Sequence, residues 1–328
     1  MNIFLTGASG FIGSQMAFTL AEQGHTVHAL VRSIARAEKE VNHKFVKFFE
    51  GSLDDLDVVT KAVSGCEQAY LLAAFAQVWD KDIDTFYKIN VRDNLRLIRK
   101  AFELGVKKIV VTSTAGVFGP SQDDLPVTED SVKWTSLTTD YERSKAQAEI
   151  EIKKLVQTEN LDIVIVNPTR VYGPGKLTKS NSVTRMINEF NQEKWHVYPG
   201  DGNATGNYVF VKDVIEGHIL AMQKGKAGEN YILAGENASY KELFKKVTQV
   251  SGNKTWLVGV PIFIMMLLAK VQMALISITG KGPLLSPGFV KKYNFNWVNS
   301  SEKAERELGY KPTSLIDGIK EVISWSQN

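Results

Sequence analysis

A short turn carrying three glycines, Thr6-Gly7-Ala8-Ser9-Gly10-Phe11-Ile12-Gly13, joins the apolar run Asn2–Leu5 to a helical stretch, Phe11–Glu22. No other feature constrains this chain as much. Gly7 permits a tight turn, Gly10 lets backbone approach a pyrophosphate, and Gly13 allows a helix to pack closely on a strand. Phosphates gripped there would sit at the positive end of the following helix. Glycines also serve ordinary turns, so the meaning of these three depends on what surrounds them.

The surroundings alternate. Strand candidates are Asn2–Leu5, Val27–Val31, Phe45–Phe49, Gln68–Leu72, Lys108–Thr112 and Asp162–Val166, with helical stretches Phe11–Glu22, Asp54–Val63, Asp84–Leu104 and Tyr141–Gln157 between them. Short apolar strands separated by helices predict a parallel sheet covered on both faces. Right-handed crossovers then make it an α/β doubly wound sheet of Rossmann type, and the glycine turn falls at its first strand–helix junction. After Asn167 the texture changes: Pro168, Gly173, Pro174, Gly175 and the turn-rich Pro199–Gly206 break the alternation, and Asp213–Gln223 reads as a helix returning to the sheet. The expected division is therefore residues 1–168 plus about 207–228 for a nucleotide-binding half. A smaller, mainly helical substrate lobe takes about 169–206 plus 229–328.

Composition narrows the function classes. A formal charge of +3 over 328 residues, with Lys and Arg scattered, gives no footprint for nucleic acid. Cys66 is the sole cysteine, so no intrachain disulfide forms and no metal site is expected. A strand starting at Asn2 leaves no space for a signal peptide, and a cytoplasmic setting is the default expectation. The apolar segment Pro261–Thr279 is interrupted by Lys270 and Gln272, so it is expected to cover a greasy pocket or a subunit interface rather than span a bilayer.

Two groups of residues point to chemistry. The second strand ends Val31-Arg32-Ser33, without the carboxylate that accepts from an NAD ribose, and Arg36 follows one turn later. Guanidinium groups suit a 2′-phosphate, which favours NADP(H); a solvated surface arginine is the plain alternative. Tyr141 and Lys145, four apart on a helical stretch, share one face. A phenol with a pKa of about 10 must be lowered by about three units to act as a base at neutral pH, roughly 4 kcal/mol, and a partly desolvated ammonium is expected to supply much of that. Ser113 and Thr114 place hydroxyls just past the fifth strand, at the same edge, although strand ends are commonly polar.

With these residues the chain resembles the extended short-chain dehydrogenase/reductase family. The motifs that carry the resemblance run in order through nearly all of it: TGASGFIG at Thr6–Gly13, INV at Ile89–Val91, VVTSTAGVFG at Val110–Gly119, YERSK at Tyr141–Lys145, NPTRVYGPG at Asn167–Gly175, FVKDV at Phe210–Val214 and KAERELGYKP at Lys303–Pro312. The resemblance implies a catalytic set of Thr114, Tyr141 and Lys145, with Lys145 on the nicotinamide ribose and Asn90 supporting the site. It further implies cofactor contacts from Gly7, Ser9, Gly10, Phe11, Ile12 and Gly13, from Arg32 and Arg36, and from Leu72, Ala73 and Ala74. Thr112, Ser113, Asn167, Pro168 and Thr169 complete that set. Ser52-Leu53 stands where family members often have Asp-Leu against adenine. Members often dimerise through the helices holding Asp84–Leu104 and Tyr141–Gln157.

Within the family, sugar-nucleotide enzymes usually carry an Arg before the aromatic of the segment matching Tyr208–Val214, and dehydratases place Asp-Glu after the catalytic Thr. This chain has Asn207 and Ala115-Gly116 at those places. Arg32, Asn167-Pro168-Thr169 and the apolar Val258–Thr279 segment look more like the dihydroflavonol reductase and 3β-hydroxysteroid dehydrogenase branch. The expected reaction is therefore NADPH-dependent reduction of a ketone or aldehyde on an apolar small molecule, with Phe75, Trp79, Phe118 and Tyr172 as candidate substrate contacts. A nucleotide-sugar 4-epimerase, an NAD-linked hydroxysteroid-type alcohol dehydrogenase and a non-catalytic cofactor-sensing protein are the alternatives.

Overall fold

A computed structural model describes residues 1–122, 125–132, 134–177, 181–279 and 282–327. Seven parallel strands form the main sheet: β1 (Asn2–Thr6), β2 (Thr26–Val31), β3 (Val46–Glu50), β4 (Gln68–Leu71), β5 (Lys108–Thr112), β6 (Ile163–Pro168) and, much later in the chain, Asn230–Leu233. The spatial order runs from Asn230–Leu233 through β6, β5, β4, β1 and β2 to β3. The order reverses between β1 and β4, the point at which a doubly wound sheet opens a crevice at its carboxyl edge. Because helices cover both faces, the central strands are apolar on both: Ile163, Val164, Ile165 and Val166 of β6 are all fully buried. One face packs Met16 and Leu20 of the Phe11–Glu22 helix with Val214 and Ile215, and the other packs Val59, Leu97, Ile98 and Ile152.

Three further strands complete the chain-order numbering up to the late main-sheet strand: β7 (Arg170–Tyr172), β8 (Val197–Pro199) and β9 (Thr205–Phe210); Asn230–Leu233 is then β10, followed by β11 (Glu236–Ser239) and β12 (Val258–Val260). Strands β7, β9 and β11 make a small sheet, with β7 and β9 parallel and Arg170 opposite Tyr208. Its core of Tyr172, Ile187, Phe190, Phe210, Leu243, Phe244 and Ile319 forms the second lobe.

The lobes interleave more than the sequence suggests. Residues 229–328 were expected to lie wholly in the second lobe, yet β10 pairs with β6 at the edge of the main sheet. The Glu302–Leu308 helix packs on β10 and on the Val211–Lys224 helix, with Ala304 and Leu308 buried in the main-sheet core. No turn signal marks that return, since β10 is only four residues long. The Asp84–Leu104 stretch also proves composite: one π-helical turn, Lys88–Asp93, separates Asp84–Tyr87 from Asn94–Glu103. Such turns widen a helix locally and often mark functional positions, and this one carries Asn90.

The apolar segment forms the Ile262–Thr279 helix. Met265, Leu268 and Gln272 face the large cavity between the lobes, while Phe263 and Leu267 are well exposed to the outside. Among the described residues no helix is long and apolar enough to cross a membrane, and no group of His, Cys, Asp and Glu is arranged to hold a metal ion.

Candidate active site

The cradle at the amino end of the Phe11–Glu22 helix is set by backbone approach. Gly7 has φ +84°, and a Cβ there would meet the Ala73 nitrogen at 2.9 Å, so β1 and the turn after β4 nearly touch. A Cβ on Gly13 would lie 2.1 Å from the Gly7 oxygen, which no relaxation of a side chain relieves. Gly10 caps the helix without any side-chain hydrogen bond, and the first turn holds no acidic residue. The first N–H groups of this helix therefore face the cavity with their positive end open to an anion. Gly13→Ala should cost about 2–3 kcal/mol from overpacking and displace the cradle. A lowered melting temperature together with lost NADPH binding is the expected outcome; an unchanged titration curve would mean the turn is not the phosphate site.

A cavity of about 1080 Å³ runs from this cradle along the carboxyl edge of the sheet into the second lobe. That exceeds the roughly 300–1,000 Å³ of ordinary small-molecule sites, leaving room for two ligands in series. Gly7, Ser9, Gly10, Phe11, Ile12 and Gly13 line one end, with Arg32, Ser52, Leu53, Leu72, Ala73 and Ala74. Thr112, Ser113, Thr114, Tyr141, Pro168 and Thr169 line its middle. Arg36 joins Arg32, Ser9 and Ser33 around a smaller recess beside the cradle. Both arginines are exposed, and among the described residues neither has a carboxylate partner.

Near Ser52 the structure adds a residue that the sequence reading passed over. Asp54 lines the cavity, accepts from Ser52 Oγ and from Lys88 Nζ at 2.6 Å, and its carboxyl is held down at about 2, chiefly by the Lys88 contact and then by Ser52. Asp54 thus brings a carboxylate to the cavity two positions after Ser52.

The hydroxyl cluster is built from β5 and the Asp140–Glu159 helix. Thr139 caps that helix by accepting from the Glu142 nitrogen at 3.2 Å, which fixes the helix start beside the cavity. Thr114 Oγ1 accepts from the Gly116 nitrogen at 3.2 Å, and Ser113 Oγ is buried with no partner among the described residues. A buried hydroxyl left unpaired against a cavity wall suits a ligand that supplies the missing bond. Thr112 is committed elsewhere. His218 Nδ1 donates to the Val214 carbonyl at 2.6 Å, leaving Nε2 to accept from Thr112 Oγ1 at 2.8 Å, and burial drops this imidazole to about 4.

Tyr141 and Lys145 differ from expectation. Burial, and secondarily the neighbouring Glu142, push the Tyr141 phenol well above its ordinary range, rather than Lys145 pulling it down. Lys145 is buried behind the wall and donates to the Thr112 carbonyl at 2.7 Å, so it does not line the cavity where a ribose would lie. Burial lowers its ammonium to about 8, with Glu149 opposing the shift. Desolvation outweighs attraction here because the two side chains do not pair directly.

Two other residues placed at the site lie behind it. Asn90 is buried in the π-helical turn, accepts from the Phe75 nitrogen at 2.7 Å and donates to Ser144 Oγ at 2.9 Å. It ties the Phe75 backbone to the Tyr141 helix and does not touch the cavity. Asn167 donates to the Thr114 carbonyl at 3.1 Å and to buried Glu149 at 2.7 Å, and accepts from Asn230 at 2.9 Å. It holds the Thr114 backbone from behind. Glu149 and Asn230, which no motif flagged, complete this network.

Of the candidate substrate aromatics only Phe75 lines the cavity, its ring edge-on to Phe86. Phe118 is buried among Ala115, Val117 and Ile232, and Tyr172 is fully buried in the second-lobe core, its hydroxyl donating to the Leu315 carbonyl. Trp79 lies outside the lining, near Gly282. The aromatic wall is instead Trp195, Tyr198, Tyr208, Tyr240, Phe289 and Tyr293, all from the second half of the chain. Facing it, Glu142 is buried against Lys292 across the two lobes. Asn207 is spent internally: it accepts from Thr169 Oγ1 at 2.6 Å and donates to the Gly235 carbonyl at 2.9 Å.

A glycine cradle at the switch point, continuous with hydroxyls and an aromatic chamber, is the arrangement of a dinucleotide-dependent oxidoreductase of the Rossmann type. The chain belongs to the NAD dependent epimerase/dehydratase family, whose model matches residues 3–234. It is similar to sterol demethylase protein B of Methylococcus capsulatus, 27% identical over 99% of this chain and 98% of that one. The dihydroflavonol 4-reductase of Callistephus chinensis is 27% identical over 75% of this chain and 72% of its own. The crystal structure of gox2253 superposes with a TM-score of 0.83 at 32% identity, covering 99% of this chain and 97% of the other. The family and these relatives make the chain an NAD(P)-dependent oxidoreductase.

Proposed function

We propose that the chain reduces a ketone or aldehyde on an apolar small molecule at the expense of NADPH. The observation that carries this reading is the cavity itself: the Thr114 and Tyr141 hydroxyls lie between a glycine cradle and a chamber walled by aromatic and aliphatic side chains. The Gly7–Gly13 cradle would hold the cofactor's pyrophosphate, and bound NADPH would supply the hydride. Ser113 and Thr169, which line the same cavity, would hold the nicotinamide end of the cofactor, and Thr114 donates to the carbonyl oxygen of the substrate. Tyr141, a neutral phenol, delivers the proton to the same oxygen. Lys145 and Asn90 act through others, Lys145 by fixing the Thr112 carbonyl and Asn90 by fixing Phe75 and Ser144. The chamber walls exclude water, which strengthens each of these hydrogen bonds.

Three features weigh against sugar nucleotides. Asn207 has no donor left for a phosphate, Gly116 occupies the place of a dehydratase acid, and Glu142 is neutralised by Lys292. Family likeness to epimerases concerns the fold.

Arg32 and Arg36 carry the cofactor preference, as two unpaired guanidinium groups beside Ser9. A 2′-phosphate there gains charge-assisted bonds that a ribose hydroxyl cannot match, so NADPH should bind about thirtyfold tighter than NADH. Arg32→Asp should erase or reverse that ratio. Fluorescence titration of both nucleotides tests it, and equal affinities in the wild type would remove the argument for NADP. An NADPH-oxidation screen over aldehydes, aliphatic ketones and flavonoid-like and steroid-like carbonyls, with UDP-sugars as a counter-screen, tests the reaction. Turnover of UDP-sugars alone would overturn it.

A further inference from the structure

The cavity also holds a guanidinium that the reaction does not use. Arg170 on β7 lines the cavity opposite Tyr208 of β9, and its charged end lies 5.7 Å from the ring centres of both Tyr208 and Tyr240. It makes one hydrogen bond, from Nη1 to Tyr240 Oη at 3.1 Å, and among the described residues no carboxylate pairs with it. A guanidinium carries five donors in a planar fork, so this bond leaves most of its bonding capacity for a ligand. A second observation concerns its neighbour: Tyr208 is 1% exposed, lines the same cavity, and among the described residues its hydroxyl makes no well-formed hydrogen bond, although the Arg170 charge acts on it.

The fold makes room for this arrangement. A Cβ on Gly206 would lie 2.4 Å from Arg170 Nη1, so the guanidinium fills the space that a side chain at that position of β9 would take. The cation that Asn207 does not provide is therefore supplied from the neighbouring strand. The other basic groups at the chamber, Lys292 and Arg185, already face Glu142 and Glu189. One uncompensated positive charge between phenols matches a single-charged planar oxyanion, taken by two parallel hydrogen bonds, better than a diphosphate.

We propose that Arg170, with the hydroxyls of Tyr208 and Tyr240, forms a subsite for a carboxylate carried by the apolar substrate. The cavity then reads a substrate with a carbonyl at Thr114 and Tyr141 and an acid at Arg170, joined by an apolar body. This inference rests on the reductase reading above.

The test uses a homologous series of (ω−1)-oxo carboxylates and their methyl esters with NADPH and the full chain. The best acid should exceed its ester in kcat/KM by roughly thirtyfold, the scale of a charge-assisted pair. Arg170→Met should collapse that ratio to about one, and Arg170→Lys should keep part of it. Unchanged NADPH affinity shows the variants are folded, and Tyr208→Phe provides a milder variant expected to lower the ratio severalfold. A wild type indifferent to acid and ester, or a preference that survives Arg170→Met, overturns the subsite. If no carbonyl turns over, the reductase reading fails on its own, and calorimetric titration of decanoate, decyl phosphate and decanol decides the subsite. Arg170-dependent binding of decanoate sustains it, whereas preference for decyl phosphate, or no binding of decanoate, overturns it.

Discussion

Tyr141→Phe should lower the rate of carbonyl reduction by about a thousandfold while leaving NADPH affinity within a factor of a few, because general acid catalysis by one positioned side chain contributes roughly 10²–10⁴. The substitution removes one oxygen and keeps the ring that packs on the cavity wall, so the fold and the cradle at Gly7–Gly13 are untouched. The direction of reaction enters through the protonation state. Burial and Glu142 hold the Tyr141 phenol in its neutral form well beyond neutral pH. A neutral phenol is ready to give a proton to a carbonyl oxygen and has to lose one before it can oxidise an alcohol. Reduction should accordingly proceed at nearly constant rate from pH 6 to 8 as far as this group is concerned, and alcohol oxidation should rise with pH. Stopped-flow NADPH oxidation checks the first statement, and steady-state rates in both directions check the second. Turnover of Tyr141→Phe within tenfold of wild type would place the acid elsewhere, with Thr114 the next residue to substitute.

The parts of this fold legible in the sequence are those where local backbone demands dictate residue type. Gly7 and Gly13 can only be glycine at those separations, so the cradle is written in three letters and its neighbours. The buried strands β1, β2, β5 and β6 read directly as apolar runs because both of their faces are covered. Conversely, the substrate chamber was misplaced: Phe118 and Tyr172 are aromatic, near the motifs, and buried in cores. A side chain that packs in a core and one that walls a cavity have the same chemistry, and only long-range topology separates them. The wall residues come from three separate elements, Tyr208 on β9, Tyr240 at the start of the Tyr240–Ser251 helix and Tyr293 in the short helical turn Lys292–Asn294, and only the fold brings them together. Lys145 was legible as a position but not in its state. Spacing of four places it beside Tyr141, whereas its charge is set by burial and by the Thr112 carbonyl, which sequence does not show. Asn207 was correctly identified as lacking a cation, but the guanidinium arriving from Arg170 on the adjacent strand was invisible without the register.

Lys145→Met should separate stability from activity, with a sign that pH reveals. Burial lowers the Lys145 ammonium from the usual lysine range to about 8 in the folded chain. The protonated form is thus penalised on folding, by about 3 kcal/mol at roughly 1.4 kcal/mol per pH unit. That penalty is fully present below pH 8, where the side chain is charged in both states. Between pH 8 and the unfolded value of about 10.4 the unfolded chain binds the extra proton, so wild-type stability gains with rising pH. Methionine carries no charge and escapes the penalty, but it leaves the Thr112 carbonyl without its 2.7 Å donor, a loss of about 1–3 kcal/mol. The two effects nearly offset at pH 7, where the variant should unfold in urea within about 2 kcal/mol of wild type. By pH 10 the wild type should have gained about 2–3 kcal/mol on it, because every other titrating group is common to both. Turnover should meanwhile fall at least a hundredfold at all pH values, since Lys145 fixes the Thr112 carbonyl behind the hydroxyl cluster. Urea unfolding of both proteins at pH 7 and pH 10 provides the measurement. Parallel stability curves would mean that Lys145 is not held at a lowered pKa, and the ammonium would then have to be assigned an ordinary charged role at the cavity wall.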